Sequence, residues 1–160
     1  MEYRDLYDEN RNLTGETITK GQEIPKGKYI IIVACVMENS QGKFLMQKRS
    51  ALKGGKWGIT GGHPKTKETS LEGMHTEILE ELGLDISPSE LTLCFTAKDD
   101  KHFADIYYLK KDINIKDITM QESEVSDVKW LTKEEIDALY QQGNFKTTHY
   151  HMFKDFLKTK

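Results

Sequence analysis

Apolar and polar positions divide the chain into several short β-like runs and three helical ones. The longest apolar run, 28–37, is rich in β-branched residues, which predicts a strand buried on both faces. Residues 39–42 are typical of a turn, so we expect 43–49 to return as the antiparallel partner of that strand. Later runs predict three more strands, at 91–96, 103–109 and 125–131.

The helical runs are marked by their spacing and their caps. Apolar residues at helical spacing form a stripe that comprises Leu71, Met74, Ile78 and Leu82. Thr69 and Glu72 form a capping-box pattern at the start of this helix, and Gly83 is a natural C-terminal stop. A second capping box opens a predicted helix over 132–142, and 149–157 reads as a short amphipathic helix.

The remaining segments complete an α+β pattern. Residues 1–21 read as a polar β-hairpin, and the glycine-rich stretch 53–62 is predicted to be a loop. Because the strands segregate around two or three helices, the pattern favours a layered α+β fold.

Composition narrows the classes of function. With 160 residues and 37% hydrophobic content, the chain is expected to be a single domain over 1–160. A net charge of −3 argues against nucleic acid as a partner bound by bulk electrostatics. There is no signal-peptide pattern and no apolar run of membrane-spanning length, so we expect no membrane partner. Cys35 and Cys94 lie in apolar runs without a disulfide framework, which together with the missing signal peptide favours a cytoplasmic protein.

Candidate chemistry concentrates in 61–86. Glu77, Glu80 and Glu81 stand at i, i+3 and i+4, so a helix would place them on one face. Crowded carboxylates repel one another, and a hard divalent cation would turn that repulsion into a binding site. Gly61 and Gly62 precede the helix, where backbone N–H groups can meet the anionic oxygens of a substrate.

The spacing of these residues resembles the Nudix box, G-x5-E-x7-R-E-U-x-E-E-x-G-U, in which U is aliphatic. The matching residues are Gly62, Glu68, Glu77, Glu80, Glu81, Gly83 and Leu84. The resemblance implies an α/β/α sandwich with a mixed β-sheet between helices, and a loop–helix–loop box over 61–86. It also implies an enzyme that hydrolyses a diphosphate bond in a nucleoside diphosphate linked to another moiety, or in a similar phosphorylated small molecule.

The family resemblance also implies roles for individual residues. Glu77, Glu80 and Glu81 are the expected ligands of Mg²⁺ or Mn²⁺. The general base is expected to be one of these three, or Glu122 or Glu124 from the later loop, and the sequence does not choose among them.

One box position departs from the family. Thr76 stands where the family has an arginine that usually pairs with box carboxylates. Either Lys65, Lys67 or another cation replaces the missing charge, or the site is looser. A catalytically weak ligand-binding module is therefore one alternative to the hydrolase.

Segments outside the box resemble the Nudix branch that is similar to isopentenyl-diphosphate isomerase. In that branch Arg49 and Lys53 would contact diphosphate, and an isomerase is the second alternative. The isomerase cysteine position is Gly61 here, and no glutamate occurs between Ala97 and Leu109, so the acid–base pair of that reaction is missing.

Two expectations concern the ligand and the assembly of the chain. Trp57 is a candidate for stacking on a base of a nucleotide-like substrate, with packing in the core as the alternative. The N-terminal hairpin would pack either on its own chain or across a homodimer.

Overall fold

A mixed sheet is built around the apolar run predicted from the sequence. The computed structural model describes residues 2–160. Strand β3, Ile30–Glu38, runs parallel to β8, His102–Lys110, in an unbroken register. The edge strand β7, Thr92–Lys98, pairs antiparallel with β8. This arrangement confirms the α+β class and the mixed sheet.

The other half of the sheet contains the predicted antiparallel hairpin, with pairing confined to the residues next to the turn. Strand β4, Phe44–Arg49, meets β3 at Glu38 and Phe44, and then diverges to pair antiparallel with β9, Val125–Leu131. The predicted loop 53–62 was wrong in part, because it contains two short strands. These are β5, Trp57–Gly58, which pairs with β4, and β6, Thr60–Gly62, which takes the place beside β3 that β4 vacates.

Helices cover both faces of the sheet, which confirms the α/β/α sandwich. They are α1, Ser70–Leu82; α2, Lys133–Gln141; and α3, Thr147–Lys158. Alternate residues of β3 point to opposite faces. Val33 and Met37 therefore pack in the core that includes α1, whereas Ala34 and Val36 pack in the core that includes α3. No helix within residues 2–160 is long and apolar enough to cross a membrane.

Short turns complete the element order. Three single-turn 3₁₀ segments occur at Ala51–Lys53, Pro88–Glu90 and Ile115–Asp117. Helix α1 has both hydrogen bonds of the predicted capping box, and Gly83 ends it in the left-handed region at φ 66°.

The N-terminal segment forms a separate two-stranded sheet that docks on the box. Strand β1, Tyr3–Tyr7, pairs antiparallel with β2, Leu13–Thr19. The backbone N–H of Thr66 donates to the Tyr3 carbonyl at 2.7 Å, and the Lys67 N–H donates to the Asp5 carboxylate at 3.0 Å. The hairpin therefore lies against the loop that leads into α1.

A buried carboxylate holds the other end of the hairpin. Asp105 on β8 is 1% exposed and accepts two hydrogen bonds from the Arg11 guanidinium, at 2.8 and 2.5 Å. The hydroxyls of Ser70 and Thr96 donate to the same carboxylate at 2.5 and 2.7 Å. Burial opposes ionisation of Asp105, but these donors outweigh it and hold the pKa below its ordinary value.

Candidate functional site

A cleft of about 630 Å³ lies between the hairpin, the second half of α1 and the start of α3. Its acidic wall contains Glu77, Glu80, Glu81 and Glu124, and its basic wall contains Arg4, Lys20, Arg49, Lys53 and Lys146. The cleft is large enough for a small-molecule substrate. Charges of both signs in one cleft suit a metal-bound polyphosphate.

Glu77 and Glu81 lie together on the buried side of α1. Burial, followed by a hydrogen bond with Glu81, raises the pKa of Glu77 to about 9. Burial also raises the pKa of Glu81, which is 7% exposed. The metal-free pair therefore retains a proton at neutral pH, because two adjacent carboxylates cannot both ionise cheaply in a buried setting.

Gly62 and Gln47, which lie in the sheet, contact the carboxyl groups of Glu77 and Glu81 and hold their positions. A Cβ built at Gly62 would overlap the Glu77 carboxyl group, so the absence of a side chain lets the carboxyl group lie against the strand. Gln47 donates to Glu81 at 2.6 Å, and its own carbonyl accepts from the Thr60 hydroxyl at 2.7 Å. This chain of hydrogen bonds orients Glu81 from β4 and β6.

The remaining box glutamates have other partners. Glu80 forms an ion pair with Lys65 at 2.9 Å, so Lys65 supplies a cation close to the box. Glu68 accepts from the Thr76 hydroxyl at 2.8 Å and from the Lys65 backbone N–H at 2.7 Å. The hydroxyl at position 76 therefore holds Glu68 with a neutral hydrogen bond where the family pattern has a charged arginine.

The carboxylates of Glu77, Glu80 and Glu81 are suitable ligands for a hard divalent cation, but only two of the three lie together. Within residues 2–160, no three His, Cys, Asp or Glu side chains are grouped closely enough to hold a metal ion as they stand. Glu77 and Glu81 are together, whereas Glu80 is turned toward Lys65. All three line the same cleft, so Glu80 must leave Lys65 to join the other two.

The basic wall brings together cations from distant parts of the chain. Lys53 lies 3.4 Å from Glu124, and the adjacent Lys53 ammonium lowers the pKa of Lys20. Arg4 lines the cleft, and its buried Nε has no hydrogen-bond partner within residues 2–160. Like charges held side by side are unfavourable, and an anion between them would relieve the repulsion.

The structure places the predicted substrate residues unequally. Gly61, Gly62, Arg49 and Lys53 line the cleft. Trp57 does not: it is 8% exposed and packs in the core. Its backbone joins the segment before α3, since the Trp57 N–H donates to the Asn144 carbonyl at 2.9 Å. Burial thus favours the packing role of Trp57 over base stacking.

The two loop glutamates also separate. Glu124 is half-buried and lines the cleft beside Lys53, whereas Glu122 is exposed and lies outside the lining. His63 also lines the cleft, where burial and then the charge of Arg4 lower its pKa to about 4. His63 is therefore neutral at pH 7.

The sequence did not predict several of the lining residues, and four of these bear on the chemistry of the cleft: Arg4, Lys20, Gln47 and His149. One of them carried a signal, because Gln47 is a polar residue in the otherwise apolar start of its strand, and a buried polar side chain needs a partner. The other three come from the hairpin and from α3, and their approach to the box depends on tertiary structure.

Comparisons with known proteins agree with this architecture. The model of the NUDIX domain matches residues 28–156. An uncharacterized Nudix hydrolase of Listeria monocytogenes is 35% identical over 149 residues, which cover 91% of this chain and 88% of the relative.

Solved structures show the same fold. The protein DR0079 from Deinococcus radiodurans superposes with a TM-score of 0.80 at 21% identity, over 96% of this chain and 98% of that one. A bifunctional NMN adenylyltransferase/ADP-ribose pyrophosphatase from Francisella tularensis, in complex with AMP and a manganese ion, superposes with a TM-score of 0.63 at 18% identity. That match covers 87% of this chain and 43% of the Francisella chain.

Proposed function

The chain belongs to the Nudix hydrolase family, and on that basis we propose that it is a divalent-metal-dependent pyrophosphohydrolase. Its substrate is a nucleoside diphosphate linked to another moiety, or a similar phosphorylated small molecule. The observation that carries the proposal is that the box carboxylates and the cations of the basic wall line one cleft. These cations include Arg4, Lys20, Arg49 and Lys53.

The carboxylates are assigned to the metal. Glu77, Glu80 and Glu81 would hold Mg²⁺ or Mn²⁺, with Glu81 oriented by Gln47. The bound cation would polarise the diphosphate and lower the pKa of a water molecule. Lys65 would neutralise Glu80 until the cation replaces it.

The cations are assigned to the phosphates. Arg49 lies at the end of β4 and Lys53 in the turn after it, and both line the cleft. Lys20 lines the cleft from the hairpin. Charge-assisted hydrogen bonds to phosphate oxygens would remove the repulsion between Lys20 and Lys53. The backbone of Gly61 and Gly62 lies along the same wall.

Glu124 is the candidate general base outside the box. It lies within reach of Lys53, half-buried and on the cleft wall. Its carboxylate could accept the proton of an attacking water, while the Lys53 ammonium, 3.4 Å away, holds the carboxylate at the cleft wall. Glu77, Glu80 and Glu81 are reserved for the metal in this assignment.

The structure bears on both alternatives to hydrolysis. A Cβ at Gly61 would lie 2.6 Å from the Val33 carbonyl oxygen, so the position gives little room for the cysteine of the isomerase-like reaction. The Thr76–Glu68 hydrogen bond supports the box geometry without an arginine, which weakens the reason to expect a module that binds but does not turn over.

A substrate screen tests the proposal. Purified protein with Mg²⁺ is incubated with nucleoside triphosphates, sugar nucleotides, dinucleoside polyphosphates and ADP-ribose, and the products are separated by chromatography. We expect turnover of at least one class, and a loss of at least about 100-fold in Glu81→Gln. The matched control is Glu134→Gln, an exposed change on α2 that should have no effect.

Two outcomes would contradict the proposal. Turnover that survives in Glu81→Gln would remove the metal site from the reaction. Tight ligand binding without turnover of any class would support the binding module instead.

A further inference from the structure

His149 lies in the first turn of α3 and is anchored along one edge of its ring. The backbone N–H of Ile59 donates to His149 Nδ1 at 3.1 Å. The ring also lies against the backbone of Gly58, where a Cβ would come within 2.5 Å of Nδ1. The segment between β5 and β6 therefore fixes both the position and the orientation of the imidazole.

This contact determines which nitrogen carries the proton. A backbone N–H can only donate, so Nδ1 must present its lone pair. The neutral ring then carries its hydrogen on Nε2, which makes that nitrogen a donor. Burial, followed by the charges of Lys146 and Arg49, lowers the pKa of His149 to about 3, so the neutral form persists at physiological pH.

His149 is also one of the residues that line the cleft. Within residues 2–160, Nε2 has no hydrogen-bond partner, although the ring is held firmly on its other side. Met152 follows His149 by three residues and lines the same cleft, as does Ile59. Lys146 and Arg49 also line the cleft near this ring and can take the phosphates, so the neutral donor beside a thioether and an aliphatic side chain suits an uncharged acceptor next to the diphosphate.

The ring contacts the chain three residues before the glycine that abuts Glu77. Ile59 precedes Gly62 by three residues, and Gly62 abuts Glu77. At about 3.3 Å per extended residue, the two contacts are up to about 10 Å apart. A substrate whose diphosphate lies at Glu77 would extend a neighbouring group toward His149.

We propose that the Nε2–H of His149 donates a hydrogen bond to a carbonyl oxygen or ring nitrogen in the nucleoside part of the substrate. His149 thereby determines specificity and takes no part in proton transfer. This inference rests on the proposed diphosphate chemistry, and it adds the residue that recognises the group attached to the diphosphate.

Two substitutions separate recognition from anchoring. In His149→Asn, the amide oxygen can occupy the place of Nδ1 and keep the Ile59 contact, but the donor at Nε2 is lost. In His149→Gln, the amide nitrogen can occupy the place of Nε2 and keep the donor, but the Ile59 contact is lost. A purely structural histidine would make the glutamine variant the weaker of the two.

Titration calorimetry measures the affinity of each protein for α,β-methylene-ADP in the presence of Mg²⁺. This nucleotide cannot be cleaved between its phosphorus atoms, so affinity is read without hydrolysis. We expect His149→Asn to bind about 3- to 10-fold more weakly than the wild type, as for the loss of one hydrogen bond, and His149→Gln to stay within about 3-fold. Thermal unfolding of each variant verifies that it folds.

Several outcomes would overturn the inference. Wild-type affinity in His149→Asn would do so, and so would a larger loss in the glutamine variant. If the glutamine variant does not fold, the asparagine variant decides alone, because it keeps the Ile59 contact. If the protein hydrolyses a diphosphate that has no nucleoside and does not bind the probe, this inference is overturned and the proposed hydrolase stands. If the probe binds with the expected loss of affinity in His149→Asn, but no substrate in the screen is turned over, the proposed hydrolase is overturned and this inference stands.

Discussion

The shared proton on Glu77 and Glu81 predicts that Mg²⁺ binds more tightly as the pH rises. Both carboxyl groups have raised pKa values, because they are buried and adjacent. A cation needs them as carboxylates, so binding must expel the proton that the metal-free protein retains. The perturbation is a change of pH from 6 to 8 at constant ionic strength.

The magnitude follows from the pKa of Glu77, which is about 9. At pH 7 roughly 1% of the metal-free protein has this group ionised. Below the pKa, each pH unit raises the apparent association constant about tenfold, so the change from pH 6 to 8 gives about 100-fold, or about 2.7 kcal/mol. For the same reason, the metal-free fold loses stability as the pH rises from 4.5 toward 9, because the folded state holds the proton more tightly than the unfolded chain does.

Titration calorimetry provides the assay. Mg²⁺ is titrated into the protein at three pH values, in two buffers with different ionisation enthalpies. The buffer dependence of the heat counts the protons released, and we expect about one at pH 7. Glu77→Gln cannot titrate at this position, so its affinity should be weaker and should change less with pH than that of the wild type, with Glu81 as the remaining titrating group of the pair. Glu134→Gln on the exposed face of α2 should behave as the wild type.

A flat profile would refute the reasoning. If affinity changes less than about threefold between pH 6 and 8, and no proton is released, then Glu77 and Glu81 are already ionised in the metal-free protein. The same result would remove the argument that their burial stores a proton.

Two further predictions concern hydrogen bonds that hold the box and the hairpin in place. Thr76→Val keeps the shape of the side chain but removes its 2.8 Å hydrogen bond to Glu68, so turnover should fall while the free energy of unfolding drops by about 1 kcal/mol; equal turnover in the two proteins would show that this contact is dispensable. Asp105→Ala leaves Arg11 without its buried partner and should lower the free energy of unfolding by about 3 kcal/mol in urea titrations, whereas a loss below about 1 kcal/mol would contradict the role of Asp105 as an anchor.

Much of the acidic wall could be predicted from the sequence because it is local. The spacing of Glu77, Glu80 and Glu81 sets their face of the helix, and Thr69 and Gly83 set its ends. Their position on one face of the helix did not predict which two carboxylates lie together, because Glu80 forms an ion pair with Lys65 in the loop before α1. That choice depends on the path of a loop, which periodicity does not encode.

The predicted antiparallel hairpin between β3 and β4 is confirmed, but its pairing is short for a physical reason. The turn signal at 39–42 was sound, but pairing beyond Glu38 and Phe44 depends on competition among all the strands. β6 is only three residues long, and it takes the place beside β3. Its pairing brings Gly62 to Glu77, so the unpredicted strand is what assembles the glycine and the carboxylate.

The hairpin at the N-terminus links stability to the site. Arg4 and Lys20 reach the cleft because the hairpin is held at two points, by Asp5 on the loop before α1 and by Arg11 on Asp105. The second point also binds Ser70, so the carboxylate that anchors the hairpin is the one that fixes the first turn of α1. Loosening this contact would therefore move the cations of the hairpin and the carboxylates of α1 together, and the two halves of the proposed site would lose their alignment before the central sheet unfolds.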